Sequence, residues 1–181
     1  TISLVSLTGP VRTDIGLFLD EATTLTLAGQ NPYAAELGGD IVYPTPQING
    51  GVVNSYSYPA GAIVGMLPQR LMRIDGVRLT PFLATLAVGF VVVRAMPAEY
   101  ALFGPFTLLA GDQLTWALNG LVDALWILPL ALAAFWWRRR PVASAVAFGV
   151  AASVEQLPWF VGPFLLVWLL RDDGARDAGR W

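Results

Sequence analysis

The chain has no cysteine, no histidine and no lysine; its eleven basic residues are all arginine. Without cysteine there can be no disulfide, thiolate metal site or cysteine nucleophile. Without histidine the commonest general base and metal ligand is gone. Acid–base chemistry therefore falls to carboxylates, tyrosine or groups tuned by arginine. Charge is also scarce: 13% of the 181 residues are charged and the net charge is -2, which gives no basic footprint for nucleic acid.

Apolar residues fill the space that charge leaves, at 55% of the chain with seven tryptophans and five tyrosines. Such a composition reads as a membrane chain, with amphipathic rings suited to the membrane–water interface. The chain starts at Thr1 with no initiator methionine, no secretory signal and no apolar span before Asp14. It is therefore expected to be a piece of a longer protein whose first transmembrane helix lies outside this sequence.

The polar exception is the segment around Asp14, Asp20 and Glu21. Ile15, Phe18, Leu19, Leu25 and Leu27 alternate there with acids and threonines, predicting a short amphipathic helix over 13–29 lying along a membrane surface. Gly29 stops it and Asn31-Pro32 turns the chain. Residues 33–56 carry breaker after breaker and predict a long loop without regular structure.

The apolar runs follow. Residues 60–66 are interrupted by Pro68, 79–93 are continuous, 101–110 contain Gly104-Pro105, and 114–137 form the longest run, ending in Arg138-Arg139-Arg140. A helix needs about 20 residues to cross about 30 Å of hydrocarbon, so several of these are short or broken spans. Residues 142–170 divide at Glu155-Gln156-Leu157-Pro158. The arginine cluster places 138–141 in the cytoplasm by the positive-inside rule, and residues 1–56 on the outer side.

The predicted fold is all-α: a polytopic integral membrane protein of the cell membrane, with a long outer loop carrying an amphipathic interfacial helix and several broken or short transmembrane helices. Its regions are an extracytoplasmic loop over 1–58, a transmembrane helical region over 59–170 and a polar tail over 171–181.

Four motifs occur in order: Thr13-Asp14-Ile15-x-x-Phe18, Gly29-x-Asn31-Pro32-Tyr33, Tyr56-x-Tyr58-Pro59 and Ser153-x-x-Gln156-Leu157-Pro158-Trp159-Phe160. Together they resemble the integral-membrane glycosyltransferases of the GT-C class that use polyprenyl-phosphate sugars, most nearly the mannosyltransferase-like family 87. Where that family would carry a lysine suited to a lipid phosphate, this chain has Glu155.

The resemblance implies transfer of a sugar, mannose by default, from a polyprenyl-phosphate donor to an acceptor hydroxyl with inversion, on the outer face. Asp14 matches the acid that serves as general base. The implied partners are membrane lipid, the lipid-linked donor and a glycan or glycolipid acceptor. No cofactor is required, and a divalent metal is allowed but no ligand spacing argues for one.

Further candidates have two readings each. Asp20 and Glu21 are solvent-facing helix acids or supports for acceptor or metal binding. Asn119 and Asp123, four apart, share a helical face and either line the site or serve structure. Glu155 and Gln156 sit at a helix break and either plug it or touch substrate. Tyr33, Tyr58 and Trp159 anchor at an interface or stack on a sugar or carrier. Two other classes stay open: a non-enzymatic transporter or structural membrane subunit, and a catalytically silent glycosyltransferase relative.

Overall fold

In the computed structural model the described residues are 14–37, 45–98, 113–118, 120–137 and 139–172. The first helix, α1, runs Asp14–Leu27. An acid opens it, favourable at the positive end of the helix dipole, and the Asp14 carboxylate accepts the Ile15 amide at 2.7 Å. Gly29 closes it at φ +72°, and Gln30 N–H reaches back to the Leu25 carbonyl at 2.9 Å. The helix is amphipathic, but its apolar face, Phe18, Leu19 and Ala22, is buried in the protein core and not laid on a surface.

Among the described residues between α1 and residue 61 are a 3-10 turn, Pro32–Ala34, and an isolated antiparallel bridge between Pro46 and Val52. Asn31 caps the turn, its side-chain oxygen accepting the Tyr33 amide at 3.0 Å. Backbone bonds tie the described parts of the loop together, Leu37 N–H to Asn54 O at 2.7 Å and Val53 N–H to Thr45 O at 2.9 Å.

Helix α2 spans Gly61–Leu71 and α3 spans Leu79–Ala95. The turn between them is organised by Gln69, buried at 4% exposure. Its amide donates to the Ile74 and Gly76 carbonyls, and its side-chain oxygen accepts the Thr80 amide and hydroxyl. Then come α4 (Gln113–Leu118), α5 (Ala124–Trp136), α6 (Pro141–Val154) and α7 (Leu157–Asp172).

Helix α5 packs between α3 and α6. Small residues are buried on both helices, Ala133 on α5 and Ser144, Ala147 and Ala151 on α6, and the Ser144 hydroxyl donates to the Ala133 carbonyl. Helix α1 packs on α2 and α2 on α6. The α2–α6 approach is close enough that a Cβ at Gly61 would overlap the Ser153 carbonyl.

Two expectations are corrected here. Among the described residues no helix is long and apolar enough to cross a membrane. The longest, α3, has 17 residues and reaches about 25 Å at about 1.5 Å per residue, against about 30 Å of hydrocarbon. The polytopic fold, with its interfacial helix, is therefore set aside. So is the integral-membrane location with an outward-facing site. The physical reason is clearest in residues 114–137, which read as one span. Gly120 sits at φ +89°, a left-handed conformation that glycine adopts freely, and it separates α4 from α5. Residues 142–170 likewise divide at Glu155, whose φ/ψ of -141°/155° is extended.

A candidate carboxylate and tyrosine site

Tyr56 and Tyr58 lie two apart in the chain before α2, with ring centroids 5.8 Å apart, and Tyr33 meets Tyr56 edge-on at 5.4 Å. The Tyr33 hydroxyl donates to the Tyr58 carbonyl at 3.0 Å, so the 3-10 turn is pinned to the loop before α2. Tyr56 is in the core at 3% exposure, Tyr58 is half-buried and Tyr33 is exposed. Gln156 joins from the other side, its amide donating to the Ser57 carbonyl at 3.3 Å.

Three acids from distant parts of the chain converge on this cluster. Burial pushes the Tyr58 phenol up, and the negative charges of Glu155, Asp14 and Asp123 push it further. Each acid is held by its own local bond. Asp14, at the start of α1, also accepts the Thr45 hydroxyl. Asp123, just before α5, accepts the Trp126 indole N–H at 3.1 Å. Glu155, at the α6–α7 break, accepts the Gln156 amide at 2.8 Å. Burial raises Tyr56 strongly and Tyr33 as well, and Glu155 adds to the rise at Tyr56. All three phenols therefore keep their protons at neutral pH and can donate hydrogen bonds.

Tyr56, Tyr58, Glu155, Ile15, Val122 and Trp126 line a cavity of about 10 Å³. That is room for about one water and not for a sugar. A ligand would be met at the rim, where Tyr33 is exposed and Asp14 and Glu155 are half-buried. Among the described residues no group of three or more His, Cys, Asp or Glu could hold a metal ion.

The structure thus brings together Asp14, Tyr33, Tyr58, Asp123 and Gln156 from the residues expected in the site. Asp20 is elsewhere, paired with Arg70. Glu21 is exposed on α1, and Trp159 is exposed with its indole N–H donating to the Ala152 carbonyl at 2.6 Å. Asn119 lies outside the described residues. Of the other participants, Tyr56 was signalled by the Tyr-x-Tyr spacing, Glu155 by its place with Gln156 at the helix break, and Thr45, 31 residues from Asp14, had no signal at all.

Compared with known proteins, the chain matches no family model, no curated protein and no solved structure. The site's chemistry is accordingly argued from its own groups.

Proposed function

We propose that the chain carries the acceptor-activating part of a glycosyltransferase site, moving a sugar, mannose by default, from a polyprenyl-phosphate donor to an acceptor hydroxyl with inversion. One observation carries the reading: Tyr58 and Glu155 line one cavity with Ile15 and Val122, the chain neighbours of Asp14 and Asp123, beside an exposed tyrosine. A carboxylate, protonated phenols and an aromatic face are the groups such a transfer needs when histidine is absent.

Asp14 is the general base. It takes the acceptor proton as the acceptor oxygen bonds to the anomeric carbon, while the bond from that carbon to the phosphate oxygen breaks and its electron pair leaves with the phosphate. Thr45 and the Ile15 amide orient the Asp14 carboxylate. Tyr58, kept protonated, donates to a sugar hydroxyl or to the departing phosphate. Tyr33, 46% exposed, offers its ring to the acceptor.

The test is transfer of labelled sugar from a polyprenyl-phosphate donor by membranes or detergent extracts holding the full protein. Asp14→Asn should lower the rate by about 10²–10⁴-fold, the usual contribution of a positioned base. Equal transfer by wild type and Asp14→Asn removes Asp14 from the role. No transfer by wild type from any such donor overturns the reading.

A further inference from the structure

The loop before α2 folds back on itself over 45–53, with an asparagine–glycine pair at the tip. Pro46 and Val52 form its antiparallel bridge, Gln47 N–H donates to the Gly51 carbonyl at 2.7 Å, and Val53 N–H donates to the Thr45 carbonyl at 2.9 Å. Residues 45–52 are all exposed, Asn49 and Gly50 among them, and Gly50 has φ +84°.

An asparagine side chain can close a ring with the next backbone nitrogen, and a following glycine favours this because it has no Cβ to obstruct the approach. The chain has four asparagines. Asn31 precedes proline, which has no N–H, and Asn54 precedes serine, whereas Asn49 and Asn119 precede glycine. The surroundings of the two glycines differ. Gly120 is buried, with its amide donating to the Ala117 carbonyl at 3.1 Å. The Gly50 amide donates to the Gln47 carbonyl at 3.0 Å, but at an exposed tip where water can replace that bond as it opens.

A second contact prepares Asn49 itself. The Gly51 N–H donates to Asn49 Oδ1 at 3.0 Å. That bond polarises the side-chain carbonyl and meets the negative charge that gathers on Oδ1 when Cγ is attacked.

We propose that Asn49 is a site of spontaneous backbone modification through a succinimide. The Gly50 nitrogen gives its proton to hydroxide and bonds to Asn49 Cγ, the side-chain carbon–nitrogen bond breaks, and the nitrogen leaves as ammonia with a proton from water. Water then opens the ring at either carbonyl, giving aspartate or isoaspartate. One water is consumed and one ammonia released, with no oxidant. In isoaspartate the backbone runs through the former side chain and is one carbon longer, so the Gln47–Gly51 and Thr45–Val53 bonds lose their register. Thr45 also donates its hydroxyl to Asp14, and its hold on that carboxylate loosens with the turn. The proposal rests on the geometry of the turn and not on glycosyl transfer.

Incubation of the full protein near neutral pH, folded and in guanidinium, followed by trypsin and mass spectrometry with fragmentation that distinguishes isoaspartate, tests it. Tryptic peptides 13–70 and 95–138 hold the two Asn-Gly pairs separately. Residue 49 should convert about tenfold faster than residue 119 in the folded protein, and the two rates should come within about threefold in denaturant, where burial no longer protects Gly120. Gly50→Ala should slow conversion about tenfold, in denaturant as well, where strain in the turn no longer counts. Hydrogen exchange at the Gln47 and Val53 amides should be about fivefold faster in protein carrying isoaspartate at 49 than in Asn49→Asp, which has the same charge on an unaltered backbone. No conversion at 49, or equal conversion at 49 and 119 in the folded protein, overturns the site. Exchange no faster than in Asn49→Asp overturns the effect on the turn.

Discussion

Arg70 is the residue whose removal is most informative about how the site is held. It sits in the last turn of α2 with its side chain 13% exposed. It forms an ion pair with Asp20 of α1, contacts the Thr24 hydroxyl at 3.3 Å and reaches Asp75 of the α2–α3 turn at 3.1 Å. Asp75 is 94% exposed, so that arm contributes about 0–1 kcal/mol. Asp20 is different, because its side chain is 31% exposed and burial raises its carboxyl above the ordinary value even though Arg70 pulls it down. Replacing Arg70 by methionine keeps the apolar stem and leaves a largely buried carboxylate unpaired. The cost should fall between that of an exposed pair, about 0–1 kcal/mol, and that of a buried pair broken on one side, about 3–5 kcal/mol, so about 2 kcal/mol at pH 7. For a chain of this length that is a fall in Tm of about 4–8 °C. The pH dependence gives the sharper test. A carboxyl raised on folding binds its proton more readily in the folded state, so its burial penalty is absent at low pH and grows as pH rises through the folded value. Arg70 is needed only while Asp20 is charged. The Arg70→Met loss should therefore shrink as pH falls from 7 to 4, and Asp20→Asn should abolish most of it at pH 7. Denaturant unfolding of the four proteins of the double-mutant cycle at both pH values measures this. A loss that is the same at pH 4 and pH 7, or that persists in the Asp20→Asn background, refutes the electrostatic account and leaves only packing.

Other outcomes follow from single contacts. Gly61→Ala places a Cβ on the Ser153 carbonyl, and because the obstacle is backbone the helices must part; about 1–3 kcal/mol should be lost in chemical denaturation, with the Tyr58 cluster disturbed. Gln69→Leu leaves the Thr80 amide and the Ile74 and Gly76 carbonyls without their partner in a half-buried turn, a loss of about 1–3 kcal/mol by the same measurement. Tyr56→Phe removes a buried hydroxyl that has no hydrogen-bond partner, so unfolding should show stability unchanged or raised by up to about 1 kcal/mol. A loss above 1 kcal/mol would mean that the hydroxyl is satisfied in solution.

By itself the sequence determined what is local. Helical periodicity and the stop at Gly29 marked α1, Asn31-Pro32 marked the turn after it, and Glu155 to Pro158 marked the break between α6 and α7. It also named most of the carboxylates and tyrosines later found together, because polar residues in so apolar a chain are few. Two things could not be read. Hydropathy counts apolar residues without saying what covers them, so the same Phe18 and Leu19 that suggested a surface-lying helix are instead core against α2, and the long apolar run over 114–137 gave no weight to one glycine able to adopt φ +89°. Proximity across the chain was equally invisible. Asp14 and Thr45, Gln156 and Ser57, and Arg70 and Asp20 are pairs whose separation in sequence carries no information about distance. Only the packing of α1, α2 and α6 around Tyr56 and Tyr58 decides that Asp14 has neighbours and Asp20 has a different one, because tertiary contact is set by which buried faces fit and not by the spacing of residues along the chain.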